Sequence, residues 1–168
     1  MWFVSSLFAK KNRLGAYPAI LFRGLLALAI LLWFVFGGGR HASIGVATSD
    51  VVLGTLGVLC CGAGIAFAIW ARVHIGRNWG MPMSLKKEPE LVTSGPYAFV
   101  RHPIYTGILL AVFGSILVSG FVWFVPLIVI AIYFYYSAKT EEKNLKKEFP
   151  DKYPQYMKHT KMLIPFVF

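Results

Sequence analysis

From Ile104 to Ala138 the chain carries no charged residue, and this run constrains the fold more than any other feature. One bilayer crossing takes about 20 apolar residues, so the run is too long for a single span. Ser119-Gly120 offers a break, and Pro126 follows soon after. Two helices joined by a tight hairpin, at 104–119 and 121–138, fit best. At 1.5 Å per residue each is about 24 to 27 Å long, hence short or tilted. Two further runs qualify as spans. Residues 17–36 carry Arg23 near their start, where the side chain can snorkel to the headgroups. Residues 51–71 are rich in Gly and Ala, and Gly54, Gly57, Gly62 and Gly64 read as helix-packing positions, not as a nucleotide loop.

Composition agrees with a membrane protein. Of 168 residues, 57% are hydrophobic and 14% charged, against about a quarter charged in soluble domains. The length allows one domain. A net charge of +10 would point to nucleic acid in a soluble protein. Here the basic residues sit in loops beside apolar runs, which fits anionic lipid headgroups and topology signals, and no nucleic-acid partner is expected. Cys60 and Cys61 are adjacent, without metal-ligand spacing, and read as small packing residues. Lys10, Lys11 and Arg13 before an apolar run imitate a signal peptide. The run is too long for one and GGGRHAS offers no cleavage site, so a retained helix is expected, preceded by an interfacial MWFVSSLF.

Basic residues set the topology. Three precede the first span, the loop 37–50 has only Arg40 and an acid, the loop 72–101 has five, the hairpin turn none and the tail seven. Basic and bare segments alternate, so four spans with both termini cytoplasmic satisfy the positive-inside rule. In the second loop Pro82, Pro89 and Gly95-Pro96 mark turns, with short extended pieces at Met83–Leu85 and Leu91-Val92. The tail begins as a charged helix that Pro150 stops. Beyond it Tyr153, Tyr156, Met162, Leu163 and Phe166 read as surface-lying contacts.

Two constellations can carry chemistry. In GPYAFVRHPIYTGI, Pro103 is suited to the first turn of a helix because its missing N–H is not needed there. Arg101 and His102 then sit at the positive end of the third span, where anions bind. Taken singly, Arg101, His102, Tyr97 and Tyr105 are as well explained as an interfacial anchor; as a set on a proline-primed helix start they favour a site. Glu141-Glu142 follows the fourth span closely, and alone reads as favourable dipole placement. A hairpin of spans three and four brings both constellations to one cytoplasmic face. A guanidinium, an imidazole, two carboxylates and tyrosines suit a zwitterionic ligand with a carboxylate and a cationic centre. S-adenosylmethionine fits, as do other small metabolites. His74 and His102 lack a third ligand, so no metal site is expected. His41 and His159 read as solvated, and Trp79 as an interfacial aromatic.

The runs GRNWG, LVTSGPYAFVRHPIYTGI, EEKNL, FPDKYPQY and IPF together resemble the isoprenylcysteine carboxyl methyltransferase family, in particular its short bacterial members. Related patterns occur in phospholipid N-methyltransferases and, more loosely, in sterol reductases. The resemblance covers about residues 75–165. It implies an all-α integral membrane protein in which a cytoplasmic loop and C-terminal helix form an S-adenosylmethionine pocket, with a lipophilic or lipidated substrate arriving from the bilayer. Carried over by position, it makes His102, Tyr105, Glu142 and Tyr97 cofactor contacts, with backbone around Leu91, Val92 and Gly95 embracing the adenosine. Arg101 and Glu141 become catalytic candidates near the transferred methyl or the acceptor. Gly80-Met81-Pro82 and Pro150-Asp151 depart from the family pattern, outside its two core motifs. They leave the acceptor less determined than the cofactor. Two rival classes remain open, a membrane reductase using NADPH and a non-catalytic membrane protein whose tail binds anionic lipid.

Overall fold

The computed structural model describes residues 17–33, 35, 48–80 and 89–165. The expected interfacial stretch at residues 1–8, the basic residues before the first span, Arg40, His41, Pro82, the extended piece Met83–Leu85 and Phe166 lie outside them. Five α-helices follow in order: α1 Tyr17–Leu32, α2 Val51–Ile75, α3 Pro103–Ser119, α4 Phe124–Glu148 and α5 Lys152–His159. Short 3-10 turns occupy Gly76–Asn78, Gly95–Ala98 and Gly120–Trp123. Among the described residues there is no strand, only an isolated parallel bridge between Val100 and Lys161. The all-helical expectation therefore holds.

Two compact units divide the chain, one formed by Tyr17–Ala66 with Gly107–Tyr133, the other by Phe67–Thr106 with the chain from Phe134 onward. In the first unit Asp50 caps α2, its Oδ1 accepting the N–H groups of Val52 and Leu53 at 2.9 and 3.1 Å. The glycines at 57 and 64 let α2 approach α3 closely. A Cβ on Gly57 would lie 2.8 Å from the Gly114 carbonyl oxygen, and one on Gly64 would lie 2.5 Å from that of Gly107. Cys61, between them on the same face, donates to the Ala111 carbonyl at 3.1 Å. Gly62 has open space around it and Gly54 has only the Thr48 methyl at 3.4 Å, so two of the four glycines serve the tight packing expected of all.

The hairpin break falls at Gly120, whose φ of +75° suits a residue without a Cβ. Helix α4 starts at Phe124, and the fourth apolar run and the charged helix expected before Pro150 form one element. It continues unbroken through the charged stretch to Glu148, because nothing between Ala138 and Glu148 breaks a helix. Among the described helices, Val51–Asn78 is long and apolar enough to cross a bilayer, while Pro103–Ser119 is apolar but shorter. Four spans are not established by helix length.

The second unit has a polar core. Tyr97, Val100, Tyr105, Phe134, Ala138, Tyr153, Met162 and Leu163 are buried. Tyr153, Met162 and Leu163 are thus core residues and not the surface contacts expected of them. The cause is backbone pairing. The N–H groups of Arg101 and His102 donate to the carbonyls of Lys161 and Met162 at 2.9 and 3.1 Å. The Thr106 hydroxyl donates to Leu163 O at 2.6 Å, so the tail is drawn inward along residues 100–106.

Candidate active site

Helix α3 opens on Pro103, and the residues before it belong to the second unit. Arg101 Nε donates to Glu142 Oε1 at 2.7 Å, with both side chains less than a tenth exposed. The Arg101 Nη1 also donates to the Thr160 carbonyl. Glu141, on the same turn of α4, accepts the Tyr105 hydroxyl at 2.6 Å. The Tyr105 ring lies flat between the His102 imidazole, 5.4 Å between centroids, and the Phe134 ring, 4.3 Å away. His102 Nδ1 stands 3.4 Å from Glu141 Oε2, and His102 Nε2 stands 3.6 Å from Glu142 Oε1. The two sequence constellations, some 40 residues apart, are one cluster.

Its electrostatics are those of two cations facing two carboxylates in a confined space. Burial disfavours a charged His102, but the neighbouring Glu141 and Glu142 outweigh it and hold the imidazole pKa above its ordinary 6.5. Burial likewise works against the Glu142 carboxylate; His102 and Arg101 overcome it and hold that pKa below 4.5. His102 Nε2 is buried without a hydrogen-bond partner, since 3.6 Å is beyond hydrogen-bond reach. A buried donor left so is costly, and the Glu142 carboxylate at 3.6 Å compensates it through charge alone.

The remaining sequence candidates lie on the segment that precedes Arg101. Gly95 has φ +58° and begins the 3-10 turn that carries Tyr97. A Cβ on Gly95 would meet the His74 ring at 2.7 Å. His74 Nε2 is 2.9 Å from the Ser94 hydroxyl, and its ring faces Tyr97 at 6.4 Å. His74, dismissed above as a ligand, thus sets the turn that presents GPYAFVRHP; no signal in one sequence marks that role. The Tyr97 carbonyl accepts the Tyr156 hydroxyl at 2.5 Å, and burial pushes the Tyr156 pKa up to about 12, keeping it a donor. Leu91 and Val92 are partly exposed and irregular, not extended into a strand. An open cleft of about 720 Å3 is lined by Leu91 with Glu90, Thr93, Phe149, Lys152, Gln155, Tyr156, His159 and Thr160 among others. His159, read as solvated, is exposed yet borders this cleft. The Arg72 guanidinium lies 4.4 Å over the Trp79 ring.

The fold and the cluster define a class, a helical protein that gathers buried charge where an apolar helix begins. The same arrangement of helices occurs in the structure of the eukaryotic intramembrane Ras methyltransferase, isoprenylcysteine carboxyl methyltransferase, at a TM-score of 0.64 and 20% identity, over 92% of this chain and 55% of that one. Residues 52–152 match the phospholipid methyltransferase family, and the chain belongs to it, as an isoprenylcysteine-methyltransferase-like member. Similar curated proteins include the cobalt-zinc-cadmium resistance protein CzcN of Cupriavidus metallidurans, 29% identical over 94% of this chain and 66% of that protein. The protein-S-isoprenylcysteine O-methyltransferase of Schizosaccharomyces pombe is 32% identical over 67% of the chain and 48% of that protein. Methanethiol S-methyltransferase 1 of Bradyrhizobium diazoefficiens is 37% identical over 46% of the chain and 27% of that protein. The chain therefore spans from about a quarter to two thirds of the length of these relatives.

Proposed function

We propose that this chain is a multi-pass membrane methyltransferase that uses S-adenosylmethionine and methylates a lipophilic or membrane-delivered acceptor. In this reading four spans place both termini and the pocket on the cytoplasmic side. The observation that carries it is the cluster of Arg101, His102, Tyr105, Glu141 and Glu142, formed from the motif shared with the family. When bound, S-adenosylmethionine supplies an electrophilic sulfonium methyl group. His102 and Glu142 are the proposed polar contacts for it, with Tyr105 and Tyr97 beside them. Leu91, Val92 and Gly95 form the backbone edge for the adenosine.

Arg101 has a different task in this reading. Its guanidinium is engaged through Nε by Glu142 and through Nη1 by the Thr160 carbonyl, so it holds Glu142 in place. The Glu141 side chain is 21% exposed against 5% for Glu142, which makes Glu141 the carboxylate that can face an acceptor. Tyr105 fixes it by donating to Oε1. A carboxylate or thiolate acceptor needs no base, because the chain has only to align it. A neutral thiol or amine would give up its proton to Glu141, whose Oε2 lies next to the His102 ring. Two relatives are named for an oxygen of a prenylated cysteine and for a small thiol, and these are the acceptor classes proposed.

Calorimetric titration of the detergent-purified protein with S-adenosylhomocysteine tests the reading. Saturable binding that is lost in Glu142→Gln and His102→Ala supports it. Folded wild-type protein that binds nothing, in detergent and again in nanodiscs, overturns it and directs the search to nicotinamide cofactors.

A further inference from the structure

Helix α4 has two faces of opposite character. Phe134, Ser137, Ala138 and Glu142 are buried, and they recur at helical spacing on one side. On the other side the exposed positions are Tyr136, Lys139, Lys143, Lys146 and Lys147, again three and four apart. By the same register this exposed side begins with Ile128 and Ile132, 43% and 51% exposed. Thus one face changes from isoleucine to tyrosine to four lysines along the helix, without interruption of the backbone. Glu141, Glu142 and Glu148 fall outside it by register. Lys139 Nζ lies 5.5 Å over the Tyr135 ring, which directs the first lysine back toward the aromatic level.

We infer that this lysine face docks on anionic lipid headgroups. The order of residues is the one a helix shows on leaving a bilayer: apolar in hydrocarbon, tyrosine at the interface, cations beyond. From Lys139 to Lys147 the helix rises about 12 Å. A headgroup layer of about 5 to 7 Å plus a Debye length of about 8 Å covers that whole interval. The face is therefore continuous in charge with an anionic leaflet, while the opposite face of the same helix carries the carboxylates of the candidate site. Headgroup docking would fix the rotation of α4 and so the direction in which Glu141 and Glu142 point. The inference rests on the membrane reading above but not on methyl transfer.

The test is lipid selectivity in phosphatidylcholine vesicles, read by electron paramagnetic resonance with spin-labelled phosphatidylglycerol against spin-labelled phosphatidylcholine. Wild-type protein is expected to prefer the anionic lipid roughly fivefold, the weight of one lysine near a charged surface, with the preference falling toward unity in 0.5 M salt, where the Debye length is roughly half its physiological value. Replacing Lys139, Lys143, Lys146 and Lys147 together by Gln should abolish the preference, and replacing them by Arg should keep it. Lys152, Lys158 and Lys161 changed to Gln should leave it unaltered. Glu142→Gln should also keep it, which separates this inference from the catalytic one. Wild-type protein without selectivity, or a quadruple Gln variant that retains it, overturns the inference. Protein that fails to float with the vesicles overturns the membrane reading itself.

Discussion

The two units of this chain solve the problem of close packing by opposite means. In the unit of Tyr17–Ala66 and Gly107–Tyr133, α2 and α3 meet through absence of side chains, at Gly57, Gly64, Gly107 and Gly114. In the other unit the contacts are made by some of the most polar groups available, Arg101, His102, Glu141 and Glu142, packed against tyrosines. Dispersion and backbone proximity hold the first. Paired charge and hydrogen bonds hold the second, where one missing partner strands a charge. The first should therefore be sensitive to added volume and the second to removed atoms.

The largest expected effect is in the charged unit. Arg101→Ala leaves Glu142 buried without its guanidinium and should cost about 3–5 kcal/mol, read as a lowered unfolding temperature in detergent. A variant as stable as wild type would mean that the ion pair is not a structural element. Tyr105→Phe keeps the ring stack but removes the hydroxyl that Glu141 accepts; about 1.5–3 kcal/mol should go with a bond to a charged group. In the glycine-packed unit, Gly64→Ala drives a methyl against the backbone of Gly107 and Ala111, and about 1–3 kcal/mol is expected. Its control is Gly62→Ala, two residues away and in open space. Helix propensity there predicts a neutral change or a gain of up to about 1 kcal/mol.

Acidity offers a subtler separation, because only the charged unit should respond. The folded pKa of His102 is raised, so its contribution is complete below about 6.5 and fades as pH rises through the folded value. That of Glu142 is lowered, so its contribution is complete above 4.5 and fades as pH falls through the folded value. Unfolding temperature should thus decline on both sides of a mildly acidic optimum. His102→Asn should flatten the alkaline limb and leave the acid limb in place. An unchanged alkaline limb would mean that some other group titrates there.

Legibility in the sequence also differs between the units. The apolar helices and the break at Ser119-Gly120 were readable from hydropathy, since lipid-facing and packing residues alike must be apolar. That the RHPxY and EE constellations would meet was readable because a hairpin of the third and fourth apolar runs returns both to one end. What escaped was whatever depends on backbone meeting backbone. Nothing in KHTKMLIPF shows that its carbonyls will accept the N–H groups of Arg101 and His102, so Met162 and Leu163 looked like surface residues. Nor does a single histidine at position 74 announce that it braces Gly95. The end of α4 was legible by contrast, because Pro150 marks where the charged helix must stop and the helix ends at Glu148.

The pairing of Arg101 with the Thr160 carbonyl has a consequence in time. The two residues are 59 positions apart in the chain, and a ribosome adding about 5 to 20 residues per second needs roughly 3 to 12 seconds to pass from one to the other. Throughout that interval Arg101 and His102 exist without the segment that closes over them. The nascent chain must keep them hydrated or shielded until residue 160 has emerged, which makes the charged cluster a late event in the protein's biogenesis.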